Sequence, residues 1–538
     1  MTLILKFVTC EFDFLHFLLI DCSISIFSIP ELNKSVIVFF MYQKIILSFV
    51  ILFLWVDNAC AQCFDVGVLT YEVTDTVNKY VEVSYCKKSV VAVSIPYAVK
   101  NGDEVFRVTD IGDYAFSECS SLTHVEIPNS VINIGDHAFN ACTSLTEVEL
   151  PNSVVNIEFG AFYYCVSLMR VDIPSSVTTI GKQAFYECFS LKQVDIPNGV
   201  LCIGEEAFHS CSSLKQVNIP NSVIEIGDQA FCWCELLTHV NIPNGIANIG
   251  KGVFKGCSSL IQVDIHNSVQ SIGEEAFRFC SSLKQVDIPN SVRSIGKHAF
   301  SGCSSLIHVV IPESVTSIED YTFYQCSSLT QFDINDNVLS IGYGAFQECS
   351  SLICVTIGKG VTCIGNCAFY ECVSLTNLVI GDNVKSIGDN AFIYCSSLEK
   401  LIIPSSVEKI GRWAFGSCSL AQITVHATVP PAIYDSFSGV DSDIPVYVPS
   451  KSLEAYRDAD GWKWFSNLQP ISDTYINLIA IAESISIING VLHNPNGWII
   501  NIYDIQGCLW YGGKSLTVSL PKGVYIVSCG GKSIKVKI

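Results

Sequence analysis

Cysteine and histidine are the residues of this sequence whose side chains could support metal binding or nucleophilic catalysis. There are 26 cysteines and 10 histidines among the 538 residues. Fourteen of the cysteines recur every 23 residues, from Cys119 and Cys142 to Cys418. One thiol per repeat forms a line, whereas tetrahedral zinc needs four converging ligands, and a disulfide needs Cβ vectors that face each other. We therefore predict that these cysteines are buried free thiols that pack as small apolar residues.

Other cysteines break this period. Cys508 and Cys529 could pair as a disulfide near the carboxyl end. Two close pairs also include off-period cysteines: Cys232 with Cys234, and Cys363 with Cys367. No histidines cluster beside them, so we expect no bound metal and no cofactor at these positions.

Catalytic motifs are absent from the sequence. It contains no G-x-S-x-G, no H-E-x-x-H and no phosphate-binding glycine loop. The many Ile-Gly pairs recur at the 23-residue period, so they predict bends and not nucleotide-binding loops. We predict that the protein is not an enzyme.

The charge balance also restricts the partners. There are 31 basic and 51 acidic residues, for a formal net charge of −20. Nucleic acid is not expected as a partner, because phosphate binding needs clustered Lys and Arg. Protein and glycan partners stay open.

The cysteines belong to a repeat that must position every other side chain. Phe occurs every 23 residues from Phe116 to Phe415, with Cys three residues later and Leu three residues after that. The unit reads I-G-x-x-A-F-x-x-C-S-S-L-x-x-V-x-I-P-N-S-V-x-x, and its spacing is typical of a leucine-rich repeat. The first two units give the structural ladder Phe116, Cys119, Leu122, Phe139, Cys142 and Leu145.

Each part of the repeat predicts a local structure. Leu122-x-x-Val125-x-Ile127 predicts a strand whose alternate residues face inward, and Pro128-Asn-Ser130 predicts the turn that ends it. Gly135 permits a bend, and Ala138-Phe139 predicts a short helical or 3₁₀ segment on the convex side. Because one repeat cannot bury its own apolar side, neighbours must stack. We predict a leucine-rich-repeat solenoid of fourteen coils over residues 111–425.

These phrases resemble the BspA-like leucine-rich repeats of Bacteroidetes surface proteins. Ile226-Gly-Asp-Gln-Ala-Phe231 and Cys211-Ser-Ser-Leu214 carry the resemblance, which extends from residue 64 to about 470. The resemblance implies a bacterial surface protein active in adhesion, because family members are implicated in binding extracellular-matrix proteins, clotting proteins and other bacteria.

The outward strand positions differ between repeats and are the candidate partner-binding residues. They are acidic and polar in the first two-thirds of the predicted concave face and apolar in the last third. One interpretation is a solvated face that binds nothing. The others are a docking strip for basic protein segments, Ca²⁺ held between carboxylates, and an apolar protein contact. The candidates are His124, Glu126, Glu147, Glu149, Arg170, Asp172, Asp195, Asp264, Asp287, Val310, Val379 and Ile402.

The amino-terminal residues predict an export signal. Residues 1–61 contain a basic and apolar run after Met41 and small residues up to Ala61, as in a secretory signal peptide cleaved after Ala61. We expect translation to start at Met41; a two-helix anchor is the alternative, and lipid attachment at Cys60 fits less well. Residues 62–110 predict an amino-terminal β cap.

Two further regions follow the repeats. Residues 426–470 predict a degenerate repeat and a carboxyl-terminal cap. Residues 471–538 predict a small all-β domain, which resembles the type A carboxyl-terminal sorting domain of type IX secretion. The resemblance implies passage through the outer membrane and then anchoring or release. The alternative is a small β-sandwich that only ends the chain.

Three functions are compatible with this sequence. The first is a secreted or cell-surface adhesion protein that contacts host-matrix or bacterial proteins through its strand face. The second is a structural surface spacer without a specific ligand. The third is a glycan-binding accessory protein, which is less favoured because the strand face lacks aromatic residues. We expect an extracellular or outer-membrane location, with membrane association only through secretion or anchoring.

Overall fold

The computed structural model describes residues 63–471 and, beyond them, seven strands between residues 486 and 537. Residues 63–471 form a parallel β-solenoid of about 17 coils. The solenoid fold predicted from the repeat is therefore confirmed. The predicted signal peptide within residues 1–61 lies outside the described residues, and so does Cys508, which could pair with Cys529.

Two ladders of parallel strands run along the solenoid. In the repeats of the first ladder most paired residues are 23 positions apart, as Arg170 and Gln193 are. Its strands are Ala92–Ser94, His124–Glu126, Glu147–Glu149, Arg170–Asp172, Gln193–Asp195, Gln216–Asn218, His239–Ile242, Gln262–Ile265, Gln285–Val286, His308–Val309, Gln331–Ile334, Cys354–Ile357, Asn377–Val379, Lys400–Ile403, Gln422–Val425, Val446–Val448 and Leu468–Pro470.

The second ladder consists almost entirely of two-residue strands, which the sequence analysis did not predict. Each ends at the repeated Ile, which is followed by Gly in most coils. Its strands are Glu104–Ile111, Asn133–Ile134, Asn156–Ile157, Thr179–Ile180, Cys202–Ile203, Glu225–Ile226, Asn248–Ile249, Ser271–Ile272, Ser294–Ile295, Ser317–Ile318, Ser340–Ile341, Cys363–Ile364, Ser386–Ile387, Lys409–Ile410 and Ala432–Ile433.

The core between the ladders is a stack of identical side chains. Phe116, Cys119 and Leu122 are fully buried, as are their equivalents in the following coils. Successive Phe rings stack nearly parallel, with centroids 4.9 Å apart for Phe116 and Phe139 and 5.3 Å apart for Phe162 and Phe185. The predicted structural ladder is thus the core, and each coil buries its apolar side only against its neighbours.

The periodic cysteines make one recurring hydrogen bond. The Cys142 thiol donates to the carbonyl oxygen of Phe116 in the preceding coil at 3.2 Å, and the same contact recurs up to Cys418 and Phe392. The fourteen periodic cysteines, from Cys119 to Cys418, are all free thiols. Burial raises the pKa of Cys303 and Cys349 to about 12. These thiols are therefore neutral core residues that also satisfy a backbone carbonyl of the neighbouring coil.

The segment that carries Ala138 and Phe139 is not the short helix or 3₁₀ segment predicted from the sequence. Residues 136–141 form consecutive turns. The amide of Phe139 donates to Ala161 in the next coil at 2.7 Å, whereas that of Asn140 donates to His137 within the turn. A helix would direct all of these amides along its own axis. Here every second amide donates a hydrogen bond to the next coil, so the segment cannot be a helix.

Each of these turn segments contains two left-handed residues. In the second repeat they are His137, with φ 53°, and Ala141, with φ 55°. The pattern continues to Asp435 and Gly439, and most of these residues are not glycine. A left-handed conformation costs a non-glycine residue roughly 1–2 kcal/mol. The inter-coil hydrogen bonds and the core stack must offset that cost in every coil. We call the surface formed by these segments the turn face.

Extra strands cover the amino-terminal end of the solenoid. The antiparallel strands Cys63–Val66, Leu69–Asp75 and Tyr80–Cys86 join the second ladder through Glu104–Ile111, which also pairs with Ala98–Asn101. Buried Cys86 extends the core, since its carbonyl oxygen lies 3.8 Å from the Cys119 thiol. This arrangement agrees with a cap over the first repeat.

Aromatic side chains close the other end. The cap contains the 3₁₀ segments Ser450–Ser452 and Trp462–Trp464 and one α-helix, Leu453–Asp458. Trp462 lies 5.6 Å from the Phe437 ring, centroid to centroid, and donates to the Pro431 carbonyl at 2.8 Å. The cap thus ends the Phe stack with a buried indole whose N–H is satisfied.

Seven antiparallel strands follow in the carboxyl-terminal region. They are Ser486–Ile488, Val491–His493 and Thr517–Ser519 in one sheet, and Ile500–Asp504, Leu509–Gly513, Val524–Cys529 and Lys532–Lys537 in another. No described helix is long and apolar enough to cross a bilayer. The resemblance to a sorting domain stays a prediction.

The left-handed positions generate a stability prediction. We expect Glu187→Gly to raise the free energy of unfolding by about 0.5–1 kcal/mol, because the relief of left-handed strain exceeds the added chain entropy of glycine. Glu187 has φ 56°. The measurement is urea denaturation followed by circular dichroism. Ser190→Gly, at a position of the same coil without positive φ, should give no gain. An equal gain in both variants would contradict this prediction.

The thiols generate a chemical prediction. Iodoacetamide at pH 8 should label exposed Cys363 but not Cys142 or Cys211, which are buried and whose pKa is raised. Mass spectrometry of peptides from the native protein measures the labelling of each site. The same treatment in guanidinium chloride is the control and should label all three. Equal labelling of Cys211 and Cys363 in the native protein would show that the Cys ladder is accessible.

Candidate binding faces

The outward side chains of the first ladder form one continuous surface, which we call the strand face. Inward residues such as Val125 and Val171 are buried, and the residues on either side of them are exposed. All twelve candidate partner-binding residues are exposed: His124, Glu126, Glu147, Glu149, Arg170, Asp172, Asp195, Asp264, Asp287, Val310, Val379 and Ile402. Whether they bind a partner is a separate question from their exposure.

Carboxylates lie side by side across the early strands. Glu126 pairs in register with Glu149, Glu149 with Asp172, and Asp172 with Asp195. Strand spacing places such neighbours about 4.8 Å apart. Two charges at that distance repel by about 0.9 kcal/mol in water. This repulsion is small enough for the solenoid to tolerate, and a positive charge placed between the carboxylates would reduce it.

Arg170 shows how a guanidinium fits among these carboxylates. Its Nε and Nη2 each lie 2.9 Å from a carboxylate oxygen of Asp172, which is a bidentate contact. That hydrogen bond raises the pKa of Arg170, and the charges of Asp172, Asp195 and Glu147 add to the effect. The strand face therefore already holds one basic side chain between acidic neighbours.

Amides occupy the equivalent place in later coils. Gln193 donates to Asp195 at 3.0 Å, Gln262 to Asp264 at 2.7 Å, and Gln285 to Asp287 at 3.0 Å. Each amide orients its carboxylate without neutralising it. The negative charge along the strand face is thus fixed in position before any partner binds.

The apolar residues form a smaller cluster than their sequence order implies. Val379 and Ile402 lie on adjacent coils, and both are exposed. Val310 is three repeats earlier, and Asp333 and Thr356 occupy the equivalent positions between them. The structure does not bring Val310 into contact with the other two.

Lysines flank the acidic positions, a feature that the sequence analysis missed. Lys192, Lys215 and Lys284 immediately precede strands of the first ladder. The strand face therefore carries a stripe of carboxylates beside scattered cations. Each of these lysines stands one residue before a strand. The sequence analysis missed them because the first residue of a strand cannot be located from sequence alone.

Metal binding at this face has no geometric support. No three His, Cys, Asp or Glu residues in the described part of the chain are grouped so as to hold a metal ion. The carboxylates stand in a single row, whereas Ca²⁺ takes six to eight oxygen ligands that surround it. The geometry of the strand face therefore does not favour Ca²⁺ binding between its carboxylates.

The two close cysteine pairs, Cys232 with Cys234 and Cys363 with Cys367, are separate features. Cys232 and Cys234 are both buried and free. Cys367 donates to the Tyr343 hydroxyl at 3.6 Å, whereas the Cys363 sulfur accepts from Ser386 at 3.3 Å. None of the four forms a disulfide.

Aromatic side chains line the turn face instead of the strand face. Tyr163 and Tyr186 stack with centroids 4.8 Å apart, and Tyr186 stacks on His209 at 4.7 Å. His298 and Tyr321 stack at 4.8 Å further along. The sequence analysis missed this alignment because it assigned these residues to a short helix. A second outward surface with its own chemistry therefore exists.

Comparison with known proteins identifies the repeat. The profile of the BspA type leucine rich repeat region, which holds six copies, matches residues 109–238, 202–330 and 316–442. No curated protein matches the chain.

The chain is also similar to solved structures. A leucine-rich repeat protein from Bacteroides ovatus is 29% identical over 76% of this chain and 100% of its own, with a TM-score of 0.59. A leucine rich cell surface protein from Faecalibacterium prausnitzii is 23% identical over 77% of this chain and 96% of its own, with a TM-score of 0.38. The matched residues cover more than half of the sequence, and the chain belongs to the BspA-type leucine-rich repeat family.

Proposed function

We propose that this solenoid is a secreted or surface-exposed adhesion protein that binds a host-matrix or bacterial protein through the strand face. Binding is favoured over catalysis because the outward residues form long, uniform rows and not a convergent group. A partner with exposed Arg and Lys side chains suits the carboxylates that run from Glu126 to Asp287.

The observation that carries this proposal is the setting of Arg170. Its guanidinium makes a bidentate contact with Asp172, with Glu147 and Asp195 on the neighbouring strands. A basic side chain from a partner would meet the same kind of carboxylate row at Glu126 and Glu149, where His124 Nε2 lies 3.9 Å from Glu126 Oε1. Arg170 therefore serves as an internal example of the contact we propose.

The acidic region is long enough to form the central part of a specific interface. Glu126 and Asp287 belong to the first and the last of eight successive coils in the first ladder. At about 4.8 Å per strand these eight strands extend over about 34 Å. A specific interface covers about 800 Å² on each partner. Such an interface would therefore cover the acidic row together with the exposed residues beside its strands.

Export completes the proposal. The signal peptide predicted up to Ala61 and the sorting-type sequence of residues 471–538 favour passage to the cell exterior, with anchoring or release after the outer membrane. The family assignment supports the same location. A rigid solenoid displayed outside the cell would present the strand face to large partners.

We expect neutralisation of Glu126, Glu149, Asp172 and Asp195 to Gln or Asn to weaken binding by about tenfold or more. Immobilised matrix proteins, clotting proteins and bacterial cells are the probes, and biolayer interferometry is the measurement. Binding to the unchanged protein should also weaken as salt increases, because the contacts are between exposed charges.

The matched control changes the same number of exposed carboxylates away from the strand face. Asp103, Glu118, Glu225 and Asp382 are suitable, since all are exposed and none lies on the first ladder. This control has the same net charge and should bind normally. If the two variants lose affinity equally, the strand face is not the site. If the unchanged protein binds none of the probes, a structural spacer is the better assignment.

A further inference from the structure

A groove of about 450 Å³ lies on the turn face. It runs over five coils between two rows of residues. One row is the second left-handed residue of each coil, from Phe279 to Glu371, and the other is the residue that follows each core cysteine, from Ser304 to Val373. The groove is therefore parallel to the stacking direction of the coils.

Three of the four second-row residues in the groove are serines, and Gly302 leaves space in the first row. Equivalent positions elsewhere hold Phe189 and Trp233, which are exposed aromatic side chains. Within the groove the second row is Ser304, Ser327, Ser350 and Val373, and the first row is Phe279, Gly302, Gln325, Glu348 and Glu371. A Cβ added to Gly302 would lie 2.6 Å from a ring carbon of Phe279, so that ring leans over the glycine and closes one end.

Phe279 is held firmly in this position. The Arg278 guanidinium lies 4.6 Å from its ring centroid and forms an ion pair with Glu275. Glu275 also contacts Lys255 at 2.8 Å. The end wall of the groove is thus an apolar ring supported by a charge network beside it.

The remaining lining is polar and preorganised. The Glu348 carboxylate accepts hydrogen bonds from Gln325 Nε2 at 2.8 Å and from Tyr324 Oη at 3.2 Å. The Ser327 hydroxyl donates to the Ser304 carbonyl at 3.3 Å, and its oxygen keeps lone pairs that can accept. Glu371 adds a second carboxylate. Hydroxyl, amide and carboxylate groups beside one aromatic ring suit a ligand that bears many hydroxyls on an apolar ring skeleton.

The spacing of these groups distinguishes a sugar chain from a peptide. The second-row serine hydroxyls recur in three successive coils, at Ser304, Ser327 and Ser350, with the coil spacing of about 4.8 Å. An extended peptide advances about 3.3 Å per residue and would lose register with them. A pyranose unit of a linear chain is close to one coil in length. The two carboxylates disfavour uronic acids and sulfated sugars. We propose that this groove binds a linear, uncharged oligosaccharide, with about one sugar per coil and a terminal sugar against Phe279.

Calorimetric titration of the full chain tests this proposal. The probes are linear hexose and N-acetylhexosamine oligomers of one to six units, with heparin-derived oligomers and a poly-lysine peptide as competing classes. Affinity for at least one neutral series should increase up to about five units and then level off, because the groove covers five coils. Binding of only the anionic or only the peptide probe would overturn the proposal, as would the absence of binding by every neutral series.

A blocking variant locates the site. Ser327→Phe should reduce the affinity by more than about tenfold by filling the groove. The solenoid tolerates Phe at the equivalent place, where Phe189 stands naturally. Ser212→Phe introduces the same side chain at the equivalent position of a coil outside the groove, and it should bind like the unchanged protein. Unaltered binding by Ser327→Phe, or an equal loss in both variants, would overturn the assignment of the groove.

Discussion

Stacking of one coil on the next is the interaction on which the rest of this structure depends. A single 23-residue coil has an apolar side that it cannot bury by itself. Phe, Cys and Leu at fixed positions bury that side between neighbouring coils. The Phe rings stack, and each thiol donates to the Phe carbonyl of the coil before it. The caps matter for the same reason, because Cys86 and Trp462 cover the two open ends of the stack.

Because the core is made by a few fixed positions, the outward positions are free to vary. The strand face uses this freedom for a row of carboxylates, and the turn face uses it for aromatic stacks and a polar groove. The two surfaces differ in which residues their backbone conformation allows. Strand-face residues need only suit an exposed strand, whereas turn-face residues must also tolerate left-handed backbone, which costs a residue such as Trp233 roughly 1–2 kcal/mol.

The sequence predicts the parts of this structure that depend on period alone. The coil length, the buried Phe–Cys–Leu core, the first ladder and the exposure of Glu126 and its neighbours all follow from a 23-residue repeat with alternating apolar residues. The turn segments were predicted wrongly. Left-handed residues there include Glu, His, Tyr and Trp, which carry no turn signature. Their hydrogen bonds go to the next coil, so no local pattern can reveal them. The groove could not be predicted either, because it depends on which small and large side chains meet across neighbouring coils.

The central claim is that stability passes from coil to coil through the core stack and not through the outward rows. Hydrogen exchange of a Phe208→Ala variant tests it most directly, because this ring lies between Phe185 and Phe231 at 5.2 and 5.4 Å. The substitution should cost about 3–5 kcal/mol. Protection should fall most in the coils beside Phe208 and progressively less with distance, and the strand Asn377–Val379 should be unaffected. A uniform loss of protection along the array, or no loss beside Phe208, would contradict the account.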